Sequence, residues 1–377
     1  MDQQLARKLQ QVGEGFRLQG PFFSYEEVSH GNVNRTYKAN YVRDDGTGMA
    51  VIKSYLVQRV NTYAFRNPIQ LMENIDLVTE YIRQKSPGKV SLHYHHAEQD
   101  GERKTYLMDE DNSFWRVCNY VPSVTFDTCD DIRVVRNAGE AFGEFQMLLS
   151  DFDASRLHYT IPDFHNTRKR YETLVQDAQN PEYRERVEEV KEELGWLLSV
   201  QEQACKLTDM YDAGQLPLRV THNDTKINNV LFDEQTLEAL VVVDLDTVMP
   251  GLVGHDFGDA IRFAANFTEE DAEDFSKAGI NLNIFWAFAE GFLKYTAKTL
   301  TENEISTLGL SCFVLACELA TRFLDDYIVG DKYFNVKKYK HNLVRTRCQI
   351  ALAKDMLEKM DAMQAIVNEC AKKYRKE

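Results

Sequence analysis

Residues 222–229 read HNDTKINN and lie between two short strand-like runs, at residues 218–221 and 231–232. They match the pattern H-x-D-x-x-x-x-N at each fixed position. Phosphoryl transfer to a hydroxyl group needs a carboxylate that orients the hydroxyl and accepts its proton, and Asp224 is the candidate for this base. Magnesium prefers oxygen ligands, and Asn229 offers one from the same loop. The stretch therefore predicts a catalytic loop for phosphoryl transfer.

Two further features occur in the order that this chemistry requires. Asp244 closes the apolar run 240–243 and fits the role of a second magnesium ligand. Lys53 ends the run 50–53 and suits an electrostatic clamp on nucleotide phosphates. An isolated H-x-D occurs in ordinary polar turns, but such a turn needs neither the lysine nor the second carboxylate. We also expect Lys226 to neutralise the transferring phosphoryl group, with a solvated lysine as the alternative.

These residues resemble those of the protein-kinase-like fold, and more closely those of the aminoglycoside/choline phosphotransferase family. The D-F-G signature of protein kinases is replaced by D-L-D at residues 244–246, and a literal D-F-G at 256–258 resembles a loop-positioning segment. The phosphate loop at residues 29–37 has a single glycine, Gly31. Within the family, the N-acetylhexosamine 1-kinase group is the most similar, on this loop and on residues 56–61, 71–75, 161–167 and 322–334.

The resemblance implies an α+β, two-lobed protein-kinase-like fold. Residues 1–118 form a nucleotide-binding lobe with a small antiparallel sheet and one packed helix, which the sequence Asn67-Pro68 begins. Residues 119–122 form a hinge, and residues 123–377 form a mainly helical lobe that carries the catalytic loop and the substrate site. A strand is also expected at residues 90–94. The implied cofactors are ATP and Mg²⁺.

For the nucleotide, the resemblance implies phosphate contacts from the glycine turn and from Lys53. The connector meets the adenine edge with backbone groups. The helix partner of Lys53 is Glu73 or Glu80, which lie on one helix face, and Glu73 is preferred. Asp246 remains open as a second metal ligand. The implied nucleotide-binding residues are Gly31, Lys53, Glu73, Asn119, Tyr120 and Val121.

For the acceptor, the resemblance implies contacts from the glycine turn and from an arginine and a tyrosine eleven residues apart in the late helical region. Arg322 and Tyr333 reproduce that interval. A structural ion pair of Arg322 with Asp325 or Asp326 is the alternative. The implied acceptor-binding residues are Asn32, Asp224, Arg322 and Tyr333.

The composition of the chain argues against some classes of binding partner. Among 377 residues, 44 are Lys or Arg and 59 are Asp or Glu, which gives a net charge of −15. This charge repels nucleic acid and anionic membranes, so neither is expected as a partner. The seven cysteines are scattered without C-x-x-C spacing, which is typical of free thiols in a reducing compartment. The chain starts without the basic and apolar pattern of a leader, and we expect a cytoplasmic enzyme.

Together these features predict an ATP- and Mg²⁺-dependent kinase that phosphorylates the anomeric hydroxyl of an N-acetylhexosamine, GlcNAc or GalNAc, by direct in-line transfer. The same chemistry on another sugar, on choline or on an aminoglycoside is the alternative. Arg322 argues against the cationic acceptors. A nucleotide-binding pseudokinase is a further alternative, but such proteins typically lack the base, a metal ligand or the lysine, and this sequence has all of them.

Overall fold

The computed structural model describes residues 2–28, 33–44, 46–99 and 101–376. The chain forms two compact units. The first unit consists of residues 1–123, 155–161 and 243–249, and the second of residues 124–154, 162–242 and 250–377.

The first unit contains a five-stranded antiparallel sheet. Its elements in chain order are α1 (Gln3–Gly15), β1 (Phe22–Val28), β2 (Arg35–Asp44), β3 (Ala50–Arg59), α2 (Pro68–Lys85), β4 (Ala97–Gln99), β5 (Glu102–Lys104), β6 (Leu107–Met108) and β7 (Phe114–Asn119). The sheet order is β1-β2-β3-β7-β6, and β4 pairs with β5 in a separate ribbon. In the β2–β3 pair, Lys53 lies opposite Tyr41.

The core of the first unit lies between α1 and the sheet, where Leu9 and Val12 pack with Tyr37, Tyr41 and Val57. Apolar burial of this kind is the main favourable term in folding. The sequence pattern predicts one helix beside the sheet. The structure has a second helix there, α1. The predicted helix is α2, and the side chain of its cap residue Asn67 accepts the Gln70 N–H at 3.3 Å.

The second unit is mainly helical. The elements that follow residue 123 are α3 (Ile132–Leu148), α4 (Thr167–Ala178), α5 (Arg184–Glu189), α6 (Lys191–Ser199), α7 (Gln201–Ala204), α8 (Lys206–Asp212), β8 (Arg219–Thr221), β9 (Val230–Phe232), β10 (Ala239–Val242), β11 (Met249–Gly251), α9 (Val253–Ala264), α10 (Leu282–Thr296), α11 (Glu302–Val329), α12 (His341–Glu358) and α13 (Met360–Lys376). The predicted α+β class, with a sheet-rich N-terminal part and a mainly helical C-terminal part, is confirmed.

Helix α11 is the central helix of the second unit. A capping box between Thr301 and Glu304 begins it, and Gly330, at φ 107°, follows its end. By length and composition alone α11 is apolar enough to cross a membrane, but 89% of its most apolar window is buried within the protein. Such burial is typical of a core helix.

Helices α3 and α10 approach each other closely. A Cβ atom on Gly139 would lie 2.4 Å from the Phe288 carbonyl oxygen, and one on Gly143 would lie 2.5 Å from that of Phe292. Any larger residue at these two positions would push the helices apart. The contact fixes α3, which carries Gln146 to the loop described next.

Candidate active site

The predicted catalytic loop connects β8 to β9 in the second unit. Asn223 has a left-handed backbone conformation, at φ 63°, which asparagine tolerates better than most residues. A turn of 3₁₀ helix, Ile227–Asn229, then leads into β9. The left-handed residue reverses the chain directly before Asp224.

Asp224, Lys226 and Asn229 lie together in this loop, as the spacing predicts. The Lys226 Nζ atom lies 2.9 Å from Asp224 Oδ1. The Asn229 amide donates to the Asp224 carbonyl at 2.8 Å and to its Oδ2 atom at 3.2 Å. The Asp224 side chain remains 28% exposed, so it is accessible to solvent. Burial alone would lower the pKa of Lys226, but Asp224 and Asp259 raise it, so the amine stays protonated.

The side chain of Asp256 accepts hydrogen bonds from the backbone of the loop. It is 1% exposed. Its Oδ2 atom accepts the His222 N–H at 3.0 Å and the Gln146 amide at 2.7 Å, and Oδ1 accepts the Asn223 N–H at 2.7 Å. The Thr225 hydroxyl donates to the Asp256 carbonyl at 2.6 Å. Burial raises the pKa of Asp256, while these donors oppose the rise. The literal D-F-G at 256–258 therefore makes loop-positioning contacts.

His165 joins the loop to α11. Its Nδ1 atom lies 2.7 Å from Glu318 Oε1, and its Nε2 atom lies 3.3 Å from the Asn223 carbonyl. Burial alone would raise the pKa of Glu318, but His165 lowers it to about 2. The same pair raises the pKa of His165 against the effect of its burial. No role is predicted for Glu318 from the sequence. A glutamate inside an apolar helix nevertheless indicates a role, because a buried charge needs a partner.

Arg322 lies among aromatic rings. Its guanidinium carbon is 5.6 Å from the Phe164 ring centroid, 5.9 Å from that of Tyr333 and 5.4 Å from that of Phe334. The interval of eleven residues thus brings Arg322 and Tyr333 together. Within residues 2–28, 33–44, 46–99 and 101–376, no ion pair joins Arg322 to a carboxylate, so the alternative of a structural ion pair with Asp325 or Asp326 is wrong.

In the first unit, Lys53 is exposed on β3. Glu73, its preferred partner, pairs with His158 at 2.8 Å, and Glu80 pairs with Arg83. Among the ion pairs of the described residues, none joins Lys53 to either glutamate. The nucleotide-binding roles of Lys53 and Glu73 stay predictions.

Asp246 belongs to a buried network in the first unit. Its Oδ1 atom lies 2.5 Å from Arg116 Nη1, and its Oδ2 atom accepts the Asn34 amide at 2.6 Å. Asp246 is 4% exposed and Arg116 is 1% exposed. Both carboxylate oxygens accept hydrogen bonds from protein donors. A role of Asp246 as a second metal ligand stays a prediction. No motif in the sequence points to Arg116 as the partner of Asp246.

The remaining predicted contacts of the nucleotide and the glycine turn stay untested. Gly31, a predicted nucleotide contact, and Asn32, a predicted acceptor contact, lie outside the described residues. In the connector, the Asn119 backbone N–H donates to the His93 carbonyl at 3.2 Å, so that group is already engaged. Tyr120 is half-buried and Val121 is buried. The adenine contacts of Asn119, Tyr120 and Val121 remain predictions.

The predicted magnesium ligands are Asn229 in the second unit and Asp244 in the first. Asn229 uses its amide nitrogen for hydrogen bonds inside the loop, and its Oδ1 oxygen is the type of atom that magnesium prefers. Asp244 is an exposed residue at φ 59°. The described part of the chain contains no cluster of three or more His, Cys, Asp or Glu side chains for a metal ion. The metal-binding roles of Asn229 and Asp244 stay predictions.

Comparisons with known proteins show which family and fold the chain resembles. The model of the "Phosphotransferase enzyme family" matches residues 24–292. Ethanolamine kinase from Plasmodium vivax has 12% identity and a TM-score of 0.56, over 93% of this chain and 89% of that chain.

Two further solved structures show the same fold. The microcompartment-associated aminopropanol kinase has 14% identity and a TM-score of 0.60, over 95% of this chain and 98% of that one. Spectinomycin phosphotransferase in complex with ADP and spectinomycin has 11% identity and a TM-score of 0.55, over 95% of this chain and 98% of that one. The chain therefore has the protein-kinase-like fold of these enzymes.

Proposed function

Because this chain belongs to the phosphotransferase enzyme family, we propose that it transfers the γ-phosphoryl group of ATP to the anomeric hydroxyl of an N-acetylhexosamine. GlcNAc and GalNAc are the acceptors that we expect. The observation that carries the proposal is the Asp224 carboxylate, which is partly exposed and is held between Lys226 at 2.9 Å and Asn229 at 3.2 Å.

The residues of the loop suit direct transfer. Asp224 accepts the proton of the sugar hydroxyl while that oxygen bonds to the γ-phosphorus and the bond from phosphorus to the ADP oxygen breaks. Lys226 carries a fixed positive charge beside the reacting oxygen and offsets the charge of the phosphoryl group. Magnesium, when bound, supplies further charge neutralisation, and Asn229 and Asp244 are the proposed ligands. No side chain needs to form a covalent intermediate.

The proposed acceptor contacts come from Arg322 and Tyr333. A guanidinium donates up to five hydrogen bonds, and Arg322 spends none of them on a carboxylate of the described residues. The surrounding rings of Phe164, Tyr333 and Phe334 offer apolar faces. Phe164 lies beside His165, at 4.6 Å between ring centroids, and His165 contacts the Asn223 carbonyl. This chain of contacts joins the Arg322 group to the residue before Asp224. A neutral sugar fits a positively charged group better than a cationic acceptor does.

The similar enzymes support the donor and the acceptor type. One of them was solved with ADP, and the names of the others state kinase activity on small amino alcohols. ATP as the donor and a small-molecule alcohol as the acceptor are therefore part of the proposal.

Phosphorus NMR of the reaction products tests it. The purified protein is incubated with ATP, Mg²⁺ and one acceptor, which is GlcNAc, GalNAc, glucose, galactose or choline. We expect a sugar 1-phosphate signal with the N-acetylated sugars alone. Transfer of phosphate to another acceptor would contradict the N-acetylhexosamine assignment but support phosphotransferase activity. No transfer to any of these acceptors would contradict both.

Two variants complete the test. Asp224→Asn removes the base, and we expect loss of transfer. Asp233→Asn is the control, because it makes the same change at an aspartate whose contacts, two backbone N–H groups, lie in the exposed turn between β9 and β10. Sugar phosphate formation at the wild-type rate by Asp224→Asn would contradict the catalytic role.

A further inference from the structure

A cavity with a volume of about 770 Å³ lies wholly within the second unit. It is lined by residues 127–130 before α3, by residues 262–264 and 266–270 at and after the end of α9, by the start of α10 and by Gln349 of α12. Ile227 and Asn228 of the catalytic loop also line it. A volume of this size is ordinary for a small-molecule site. None of the residues assigned to the sugar or to the nucleotide lines this cavity.

Gln349 is the first sign that the cavity binds a ligand. Its side chain is fully buried, at 0% exposure, yet neither Oε1 nor Nε2 has a hydrogen-bond partner among the residues that the structure describes. A buried amide without partners is unfavourable, and nearly all buried polar groups in native proteins are paired. Because Gln349 lines the cavity, a polar group of a ligand is the partner that completes it.

The charge of the lining is the second sign. Four carboxylates line the cavity, those of Asp127, Asp130, Glu269 and Glu270, against the single guanidinium of Arg262. That guanidinium is already engaged.

Arg262 lies 2.8 Å from Glu270 and 2.8 Å from Asp259, which is itself buried. Among the ion pairs of the described residues, none involves Asp127, Asp130 or Glu269. Asp127, Asp130 and Glu269 are exposed to solvent where they line the cavity, and together they give it a negative potential. Like charges that face one space repel each other, and a ligand with two positive charges relieves that repulsion.

The apolar part of the lining limits the shape of the ligand. Ile227, Phe263, Phe267 and Ile284 contribute aliphatic and aromatic surface between the polar groups. Such surface packs against methylene groups and gains from excluding water. An aliphatic chain with an ammonium group at each end satisfies both the apolar and the acidic residues.

We propose that this cavity binds a linear aliphatic diamine or polyamine as a second ligand, distinct from the sugar and from ATP. One ammonium group pairs with Glu269 or Asp130, another donates to the Oε1 atom of Gln349, and the methylene chain lies along Phe267 and Ile284. Asn228, which donates to Asp127 at 3.4 Å, connects the cavity to the catalytic loop. The diamine is therefore expected to bind in the absence of ATP and sugar. It is also expected to change the rate of turnover when both substrates are present.

Isothermal titration calorimetry of the full-length protein, without ATP or sugar, tests the proposal. The probes are 1,4-diaminobutane, 4-amino-1-butanol and 1,4-butanediol, which share one chain length and differ in charge. We expect the diamine to bind about tenfold more tightly than the amino alcohol, and the diol not to bind at millimolar concentration. A diol that binds as tightly as the diamine, an amino alcohol that binds more tightly, or no binding of the diamine would overturn the proposal.

Variants locate the binding. Glu269→Gln and Gln349→Leu are expected to weaken diamine binding about tenfold each, since each removes one partner of an ammonium group. Glu234→Gln, an exposed glutamate in the turn between β9 and β10, is the matched control and should bind as the wild type does. Circular dichroism confirms that each variant is folded. Wild-type affinity in both cavity variants would place the diamine elsewhere.

The result is independent of the proposed sugar kinase activity. Arg322→Ala should bind the diamine as the wild type does, because Arg322 does not line the cavity. Failure of sugar phosphorylation with intact diamine binding would therefore contradict the sugar proposal alone, and the converse would contradict the cavity proposal alone.

Discussion

The Asp326 carboxylate accepts the backbone N–H of Tyr333 at 2.8 Å. It also accepts the N–H groups of Lys332 at 2.8 Å and Phe334 at 2.9 Å, and the Asn342 amide at 2.8 Å. Asp326 is buried on α11, the helix that also carries the proposed acceptor arginine. A single carboxylate thus fixes the segment that carries Tyr333 against that helix.

Asp326→Ala is expected to raise the KM for the sugar about tenfold, a change of about 1.4 kcal/mol, and to leave the KM for ATP unchanged. The variant releases the segment around Tyr333 but does not touch the catalytic loop. Steady-state kinetics with each substrate varied in turn measure both constants. Asp325→Asn is the control, because the neighbouring Asp325 makes no bond to residues 332–334. An equal rise in both variants would contradict the positioning role of Asp326.

Asp256→Asn is expected to reduce kcat about 100-fold with little change in either KM. Both Asp256 oxygens accept N–H groups, so the new amide nitrogen must face a donor whichever way it turns. The loop before Asp224 then shifts. The measurement is kcat together with a urea unfolding curve, in which we expect a loss of roughly 1–3 kcal/mol.

Asp233→Asn again serves as the control for Asp256→Asn, because its backbone contacts lie in an exposed turn. A wild-type kcat in Asp256→Asn would show that the loop keeps its geometry without the carboxylate.

The catalytic loop is predictable from sequence because its chemistry is local. Asp224, Lys226 and Asn229 occur within one turn, and the hydrogen bonds that hold them together span five residues or fewer. The network around Asp246 is different, because its partners are distant in the chain. Asn34 is 212 residues from Asp246, and Arg116 is 130 residues from it. No spacing rule in one sequence connects such partners, so the pattern D-L-D gives no sign of this network.

Two sequence-based predictions of local structure are wrong for different reasons: helix α1 is missed, and a strand is predicted at residues 90–94. The amphipathic helix α1 has a readable signal, since Leu5, Leu9, Val12 and Phe16 recur at helical steps and pack in one core cluster. The strand predicted at residues 90–94 is wrong, and only Tyr94 forms an isolated bridge. The cause is tertiary. Two backbone hydrogen bonds join this segment to β7, at His93 and His95, while the side chain of Asn119 accepts the His93 N–H at 2.7 Å and donates to the Ser91 carbonyl at 3.1 Å.

Arg116→Met is expected to destabilise the protein by about 3–5 kcal/mol, because it leaves the buried Asp246 carboxylate without its cation. The double variant Arg116→Met/Asp246→Leu should lose less than the sum of the two single variants, since no charge is then left unpaired. Urea unfolding of the wild type and the three variants measures this coupling.

Arg133→Met is the matched control for Arg116→Met. Arg133 also pairs with an aspartate, at 2.8 Å from Asp131, but its side chain is 77% exposed. We expect no measurable loss there, because water screens an exposed pair. Additive effects of Arg116→Met and Asp246→Leu would contradict the ion pair as the source of the stability.

The Glu318–His165 pair should make the stability depend on pH in two directions. The pKa of Glu318 is lowered from 4.5 to about 2, so its contribution is present above pH 4.5 and is lost as the pH falls toward 2. The pKa of His165 is raised above 6.5, so its contribution is present below pH 6.5 and is lost as the pH rises through the folded-state value. The pair therefore stabilises the protein most between these limits.

Glu318→Gln tests this window. The free energy of unfolding, measured in urea from acidic to alkaline pH, should differ between wild type and variant most between pH 4.5 and 6.5. The difference should shrink on both sides, because one partner becomes neutral there. Glu202→Gln, at an exposed position on α7, should follow the wild-type curve throughout. A constant difference between Glu318→Gln and the wild type would mean that Glu318 acts through its hydrogen bond to Thr167 rather than through its charge.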